Sequence, residues 1–114
     1  MRVFALKSCD TCRKALKALR AAGAEPDVID VRADDVSASD RAAMVETFGD
    51  GVINRSSATW RGLSERERAA PVADLIAAHP TLIKRPVIEI DGQWFQGWRG
   101  DVPGAVLAAA GLSS

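Results

Sequence analysis

The sequence predicts an α/β fold: a mixed four-stranded sheet with a helical insertion between a β-α-β half and a β-β-α half. Three observations predict it. The apolar run Val3-Phe4-Ala5-Leu6 leads through a polar turn into a helical pattern and then, past Gly23 and Pro26, into a second apolar run. Strand, helix and strand within about thirty residues make a βαβ unit, so the two strands are parallel. Near the other end, Asp91-Gly92 separates two strand-like runs, the strongest short hairpin signal. Finally, 114 residues with 47% apolar content suit one domain, 1–114, with a real core.

In chain order, residues 2–6 read as the first strand, a continuous apolar run suited to a buried place in a sheet. The first helix starts at about residue 10 or 11 and runs to 22, with Ala15, Leu16 and Leu19 on its core face and Arg13, Lys17 and Arg20 on another. Asp10 is expected to cap it, and Gly23 stops it. The second strand is 27–31. Ser37 caps a second helix that ends at Phe48, with Met44, Val45 and Phe48 as its stripe. Residues 52–61 have no clean period and read as a loop with a few apolar anchors. Ser64 and Glu67 have the spacing of a capping box. Pro71 suits a first helical position, Val72, Leu75 and Ile76 follow as a stripe, and His79-Pro80 ends that helix. The insertion therefore spans about 37–80. The last strands are 86–90 and 93–96, closed by Gly97, and Asp101 caps a last helix whose inner face is Val102, Val106, Leu107 and Ala110.

The totals exclude several classes. Fifteen basic and fifteen acidic residues give zero net charge, which argues against direct nucleic-acid binding. No apolar run approaches the roughly 18 residues of a membrane span, and Lys7 and Ser8 interrupt any N-terminal signal pattern. The expected location is the cytoplasm, without a membrane partner. Two cysteines and one distant histidine do not make a tetrahedral metal site, so no bound metal or cofactor is expected.

The chemistry concentrates in Lys7-Ser8-Cys9-Asp10-Thr11-Cys12-Arg13-Lys14. A Cys-x-x-Cys opening a helix in a βαβ pattern points to thiol redox chemistry. Free backbone N–H groups and the positive end of the helix dipole favour a thiolate there. That end is worth ~0.3–1 kcal/mol, less than the ~1.4 kcal/mol of one pKa unit. A cation is therefore needed as well, Arg13 or one brought in by the fold. Cys9, before the first turn, is the better nucleophile; Cys12, inside the helix, is the natural resolving partner. Thr11 and the first-turn N–H groups are placed to hold developing negative charge. The basic row Arg13, Lys14, Lys17 and Arg20 reads first as a solvated face, and second as an anion or protein-docking patch.

Three segments carry a resemblance. Cys9-x-x-Cys12-Arg13-Lys14-Ala15, Asn54-Arg55-x-x-x-Thr59-Trp60-Arg61 and Ile83-Lys84-Arg85-Pro86-Val87 occur in this order. Together they resemble the ArsC/Spx family: glutaredoxin-coupled arsenate reductases, the Spx transcription regulators and the small YffB-type thiol reductases. The resemblance implies a thioredoxin-like fold, with Cys9 as the catalytic cysteine, Arg13 as the arginine after it, and Arg85 before a cis Pro86. It implies that Arg85 approaches the thiol, and that Arg55 or Arg61 offers a second anion-binding guanidinium. Where arsenate reductases of this type have a third arginine, this chain has Phe95-Gln96-Gly97-Trp98. That ending, with Thr59-Trp60-Arg61, is more similar to the YffB branch, whereas Cys12 is the feature shared with Spx proteins. The implied activity is glutathione-dependent reduction of a thiol or oxyanion substrate through Cys9. Glutathione or glutaredoxin is the co-substrate or partner, and a small anion or disulfide is the substrate. Trp98 reads first as a packing residue and second, beside Gly97, as a lining of the substrate cleft. The alternative is a Spx-like redox regulator that binds RNA polymerase.

Overall fold

Strand β1 (Arg2–Ala5) organises the first of two compact units in the computed structural model, which describes residues 1–112. This unit comprises Met1–Asp30 and the chain from Arg85 onward; Val31–Lys84 form the other. β1 pairs in parallel with β2 (Asp27–Asp30), Val3 opposite Val28, and antiparallel with β3 (Val87–Ile90), Val3 opposite Ile88. β4 (Gln93–Gln96) completes the order β2-β1-β3-β4. Mixed pairing follows from the connections. A helix joins β1 to β2 across the same face, whereas β3 and β4 are joined by the tight turn at Asp91-Gly92. Both turn residues have positive φ, 48° and 85°, the twist that a two-residue hairpin needs and that Asp-Gly tolerates.

Helices α1 (Asp10–Ala21) and α6 (Val102–Ala109) cover one face of this sheet. Val3 and Ala5 of β1, Ile88 and Ile90 of β3, Leu19 of α1 and Val106 of α6 form that core. Burying each large apolar side chain contributes about 1.5–3 kcal/mol. On β1's other face Phe4 is fully buried and stacks on Trp94, ring centres 5.8 Å apart. The Arg2 guanidinium lies 5.4 Å from the Phe4 ring centre and 5.7 Å from that of Trp94, and donates to Glu89 at 2.8 Å. Asp101 occupies the cap position of α6, but its side chain makes no cap hydrogen bond.

The second unit is a set of short helices tied by polar caps. Helix α2 (Ala38–Phe48) starts at Ser37, whose Oγ accepts from Asp40 N–H, and buries Met44. Residues 52–61 are more ordered than a loop. Ile53 bridges antiparallel to Ile83, and one-turn helix α3 spans Ala58–Arg61, capped by Ser57. A single turn is too short to show a hydrophobic period, so sequence patterning passes over it. Helix α4 (Glu65–Arg68) has both halves of the Ser64/Glu67 capping box. Pro71 stands one position earlier than expected: it occupies the N-cap position of α5 (Val72–Ala78), with φ −56° and ψ 145° and no side-chain cap hydrogen bond, and Leu75 and Ile76 are buried. Among the described residues no helix is long and apolar enough to cross a membrane.

Candidate active site

β1 ends at Ala5, and the turn after it delivers Cys9 to the start of α1. Backbone N–H of Cys9 donates to Leu6 O at 3.1 Å, closing that turn. Cys9 is itself the N-cap of α1, in extended conformation, and its Sγ accepts from the Cys12 backbone N–H at 3.4 Å. Asp10 was the expected cap. Instead it is the first helical residue, and its carboxylate is ion-paired with Arg13. That pair is exposed, with side chains 82% and 63% accessible.

The charge that acts on Cys9 comes from Arg85. Partial burial alone would raise the Cys9 thiol. Hydrogen bonds from the Cys12 thiol and backbone N–H, together with the Arg85 guanidinium, outweigh burial and hold Cys9 below its ordinary value. Cys12 goes the other way. It is 1% exposed, packed in the core with Val3, Leu19 and Ile88, and its thiol is pushed up to about 12. Burial is the main cause, followed by the hydrogen bond with Cys9 and the nearby Cys9 charge. One cysteine is tuned to ionise and the other to keep its proton and donate it as a hydrogen bond.

Arg85 precedes a cis peptide bond to Pro86, and Pro86 is buried at the start of β3. Pro86 O accepts from Gly97 N–H at 2.8 Å, which ties the chain after β4 to this loop. Gly97 has φ 81°, and no atom lies within 4 Å of where a Cβ would stand, so backbone conformation rather than space asks for glycine. Trp98 and Cys9, both half-buried, pack against the core cluster that contains Cys12. Thr11 is half-buried in the first turn of α1. The first unit thus brings together Cys9, Cys12 and Arg85 directly, with Pro86, Gly97 and Trp98 in the strands and loops that frame them. Arg13 turns to Asp10.

Arg55 and Arg61 belong to the second unit. The Arg55 guanidinium lies 5.3 Å from the Trp60 ring centre, and that of Arg68 lies 5.2 Å from it. Arg68 also donates to Trp60 O at 3.0 Å and Arg61 O at 3.3 Å, while Arg61 is exposed. Trp60 is therefore a platform for two cations. Sequence reading singled out Arg55 and Trp60 and missed Arg68. Its signal was available only as an arginine inside the capping-box helix, eight residues after the tryptophan. Among the described residues no group of three or more His, Cys, Asp or Glu side chains could hold a metal ion.

Residues 4–101 match the ArsC family. An uncharacterized protein of Haemophilus influenzae is 36% identical over 101 residues, covering 84% of this chain and 89% of its own length. The solved structure of a YffB protein superposes with a TM-score of 0.81 at 30% identity, over 95% of this chain and 96% of the other. An arsenate reductase (ArsC) related protein from Brucella melitensis superposes with a TM-score of 0.70 at 29% identity, over 94% and 91% of the two chains. The four-stranded mixed sheet is thioredoxin-like, as in these neighbours. With the cysteine turn at the head of α1 and the match over nearly its whole length, the chain belongs to the ArsC family.

Proposed function

We propose that this protein is a thiol-dependent reductase that works through Cys9 with glutathione as co-substrate. The observation that carries the reading is the Cys9 cap: a half-buried sulfur held by the Cys12 N–H and thiol and by Arg85, all of which favour the thiolate. The thiolate attacks the glutathione sulfur of a mixed disulfide. A Cys9–glutathione bond forms and the substrate leaves as its thiolate. A second glutathione thiolate then attacks the glutathione sulfur on Cys9, giving glutathione disulfide and restoring the Cys9 thiolate. No Cys12 thiolate is required, in keeping with a thiol that stays protonated to about 12. Glutaredoxin is the alternative reductant at the second step.

Oxyanion substrates form the second class, supported by the likeness to the arsenate reductase related protein of Brucella melitensis. The Arg85 fork suits an oxyanion or a glutathione carboxylate. Thr11, Pro86, Gly97 and Trp98 are the substrate-binding candidates of the first unit; Arg55 and Arg61 are those of the second. Two free thiols suit a reducing compartment such as the cytoplasm.

The test is a substrate panel of a glutathionylated peptide and arsenate. Each is supplied with glutathione or with glutaredoxin, and wild type is compared with Cys9→Ser and Cys12→Ser. Turnover of the glutathionylated peptide that needs Cys9 and survives in Cys12→Ser is expected. Absence of turnover on every substrate, with stable capture of RNA polymerase, would replace the reductase with a Spx-like regulator.

A further inference from the structure

Helix α1 buries Cys12, Ala15 and Leu19 and exposes the rest of its charged side chains. Over its twelve residues it carries one acidic residue, Asp10, and four basic ones, Arg13, Lys14, Lys17 and Arg20. Asp10 is already taken by Arg13. Lys14, Lys17 and Arg20 are exposed, and none has another acidic residue three or four positions away on the helix. Lys17 instead faces Arg13, Lys14 and Arg20 at those spacings, and like charges so placed destabilise a helix. Arg13 and Lys14 also lie toward the helix's positive end, where cations are least favoured. This concentration stands out in a chain whose formal net charge is zero. Within the helix, the Asp10–Arg13 pair and the placing of Arg20 in the last turn offset only part of this cost.

The row has a direction. At about 100° per residue, Arg13, Lys17 and Arg20 fall within an arc of roughly 60°, and Cys9 lies at its head. At ~1.5 Å per residue, Cys9 and Arg20 are about 16 Å apart along the axis. That matches about five residues of extended chain and exceeds what one small oxyanion spans.

Building on the reading of Cys9 as the reacting thiol, we infer that the basic face of α1 docks an acidic segment of a glutathionylated protein substrate, so that its mixed disulfide is delivered to Cys9. A thiol-bearing partner is a protein rather than a nucleic acid, because only the protein presents a sulfur at the head of the row. The attraction acts on encounter, so it raises the association rate and is screened by salt.

The probes are two synthetic peptides of about ten residues, ~30 Å extended. Each carries one cysteine as a 2-pyridyl mixed disulfide; glutamates follow the cysteine in one and serines in the other. Attack by the Cys9 thiolate forms the Cys9–peptide disulfide and releases 2-thiopyridone, which is read by absorbance without any added reductant. 2,2′-Dipyridyl disulfide serves as the small uncharged control. The acidic peptide is expected to react about tenfold faster than the serine peptide at low ionic strength. That advantage is expected to vanish at about 0.5 M NaCl, where the Debye length is only ~4 Å. The triple variant Lys14→Glu/Lys17→Glu/Arg20→Glu is expected to lose the preference while reacting with dipyridyl disulfide at the wild-type rate. Equal rates for both peptides in wild type, with the control reacting normally, overturn the docking face and leave the thiol chemistry standing. A Cys9 that fails to react with dipyridyl disulfide overturns both.

Discussion

Among the described residues, four helices begin with the same hydrogen bond, and only one makes it to sulfur. Ser37, Ser57 and Ser64 each accept the backbone N–H three residues on, at 3.1 Å, and Cys9 accepts that of Cys12 at 3.4 Å. A serine hydroxyl is a good acceptor in its resting state, so the second unit's caps do one thing: they hold helix ends. A neutral thiol accepts weakly, so the Cys9 cap gains most when the sulfur is charged. The same local geometry is a fastening in one region and an ionisation device in the other. What separates them is one atom, together with Arg85 and the Cys12 thiol beside it.

Cys9→Ser tests this contrast most sharply, because it turns the reactive cap into an ordinary one. Disulfide attack is expected to fall by more than about a thousandfold, followed by intact-mass trapping of the mixed disulfide. Urea denaturation is expected to show stability within about 1 kcal/mol of wild type, since serine caps as well as any residue. A large stability loss would mean that the sulfur, not the cap, holds the helix.

Arg85→Gln removes the cation and keeps a hydrogen-bonding side chain. The thiol is then less easily ionised, so the pH curve of iodoacetamide alkylation moves to higher pH. The rate at neutral pH falls about three- to tenfold. An unmoved curve would assign the lowered Cys9 value to the helix end and Cys12 alone.

Cys12 gives a stability signature. The native state holds its proton to about 12, while an unfolded thiol releases it near the ordinary 9.0. Between those values the unfolded state binds fewer protons, so stability falls as pH rises, by ~1.4 kcal/mol per pH unit. Cys12→Ala lacks this group. Its deficit against wild type, measured by denaturation at successive pH values, is expected to shrink above pH 9. A deficit that stays constant would show that Cys12 ionises normally in the fold.

The smallest effect is the control. Ser64→Ala breaks the capping box of α4 and is expected to lower stability by about 1 kcal/mol while the Cys9 alkylation curve stays where it was. A shift in that curve would deny that the serine caps and the sulfur cap have separate jobs.

Much of this architecture can be read from the chain, for identifiable reasons. The βαβ start, the Asp91-Gly92 hairpin and the Ser64/Glu67 box are each set by near neighbours, and each appears where those neighbours put it. Helix α3 escapes notice because four residues cannot show a period. Asp10 outranks cysteine on every cap preference, so propensity selects it. The preference does not register that the i, i+3 spacing to Arg13 draws the carboxylate away, although that spacing was itself readable. Arg68 over Trp60 depends on how two short helices turn back, which no local pattern encodes. At the site, the cysteines were visible from spacing, and Arg85 only from family likeness. The opposite tuning of the two thiols required their burial, 1% exposure for Cys12 against half-burial for Cys9.

Two of the contacts that seat Cys9 run through main-chain N–H groups: its own to Leu6 O, and that of Cys12 to its Sγ. Every amino acid except proline supplies such a group. The Cys9 sulfur is therefore anchored by atoms that most substitutions leave untouched, and the side chains at positions 10 and 11 are free to change without unseating it. Natural variation at positions 10 and 11 can change the surface around the thiol while the groups that lower its pKa, the Cys12 N–H and thiol and Arg85, stay in place.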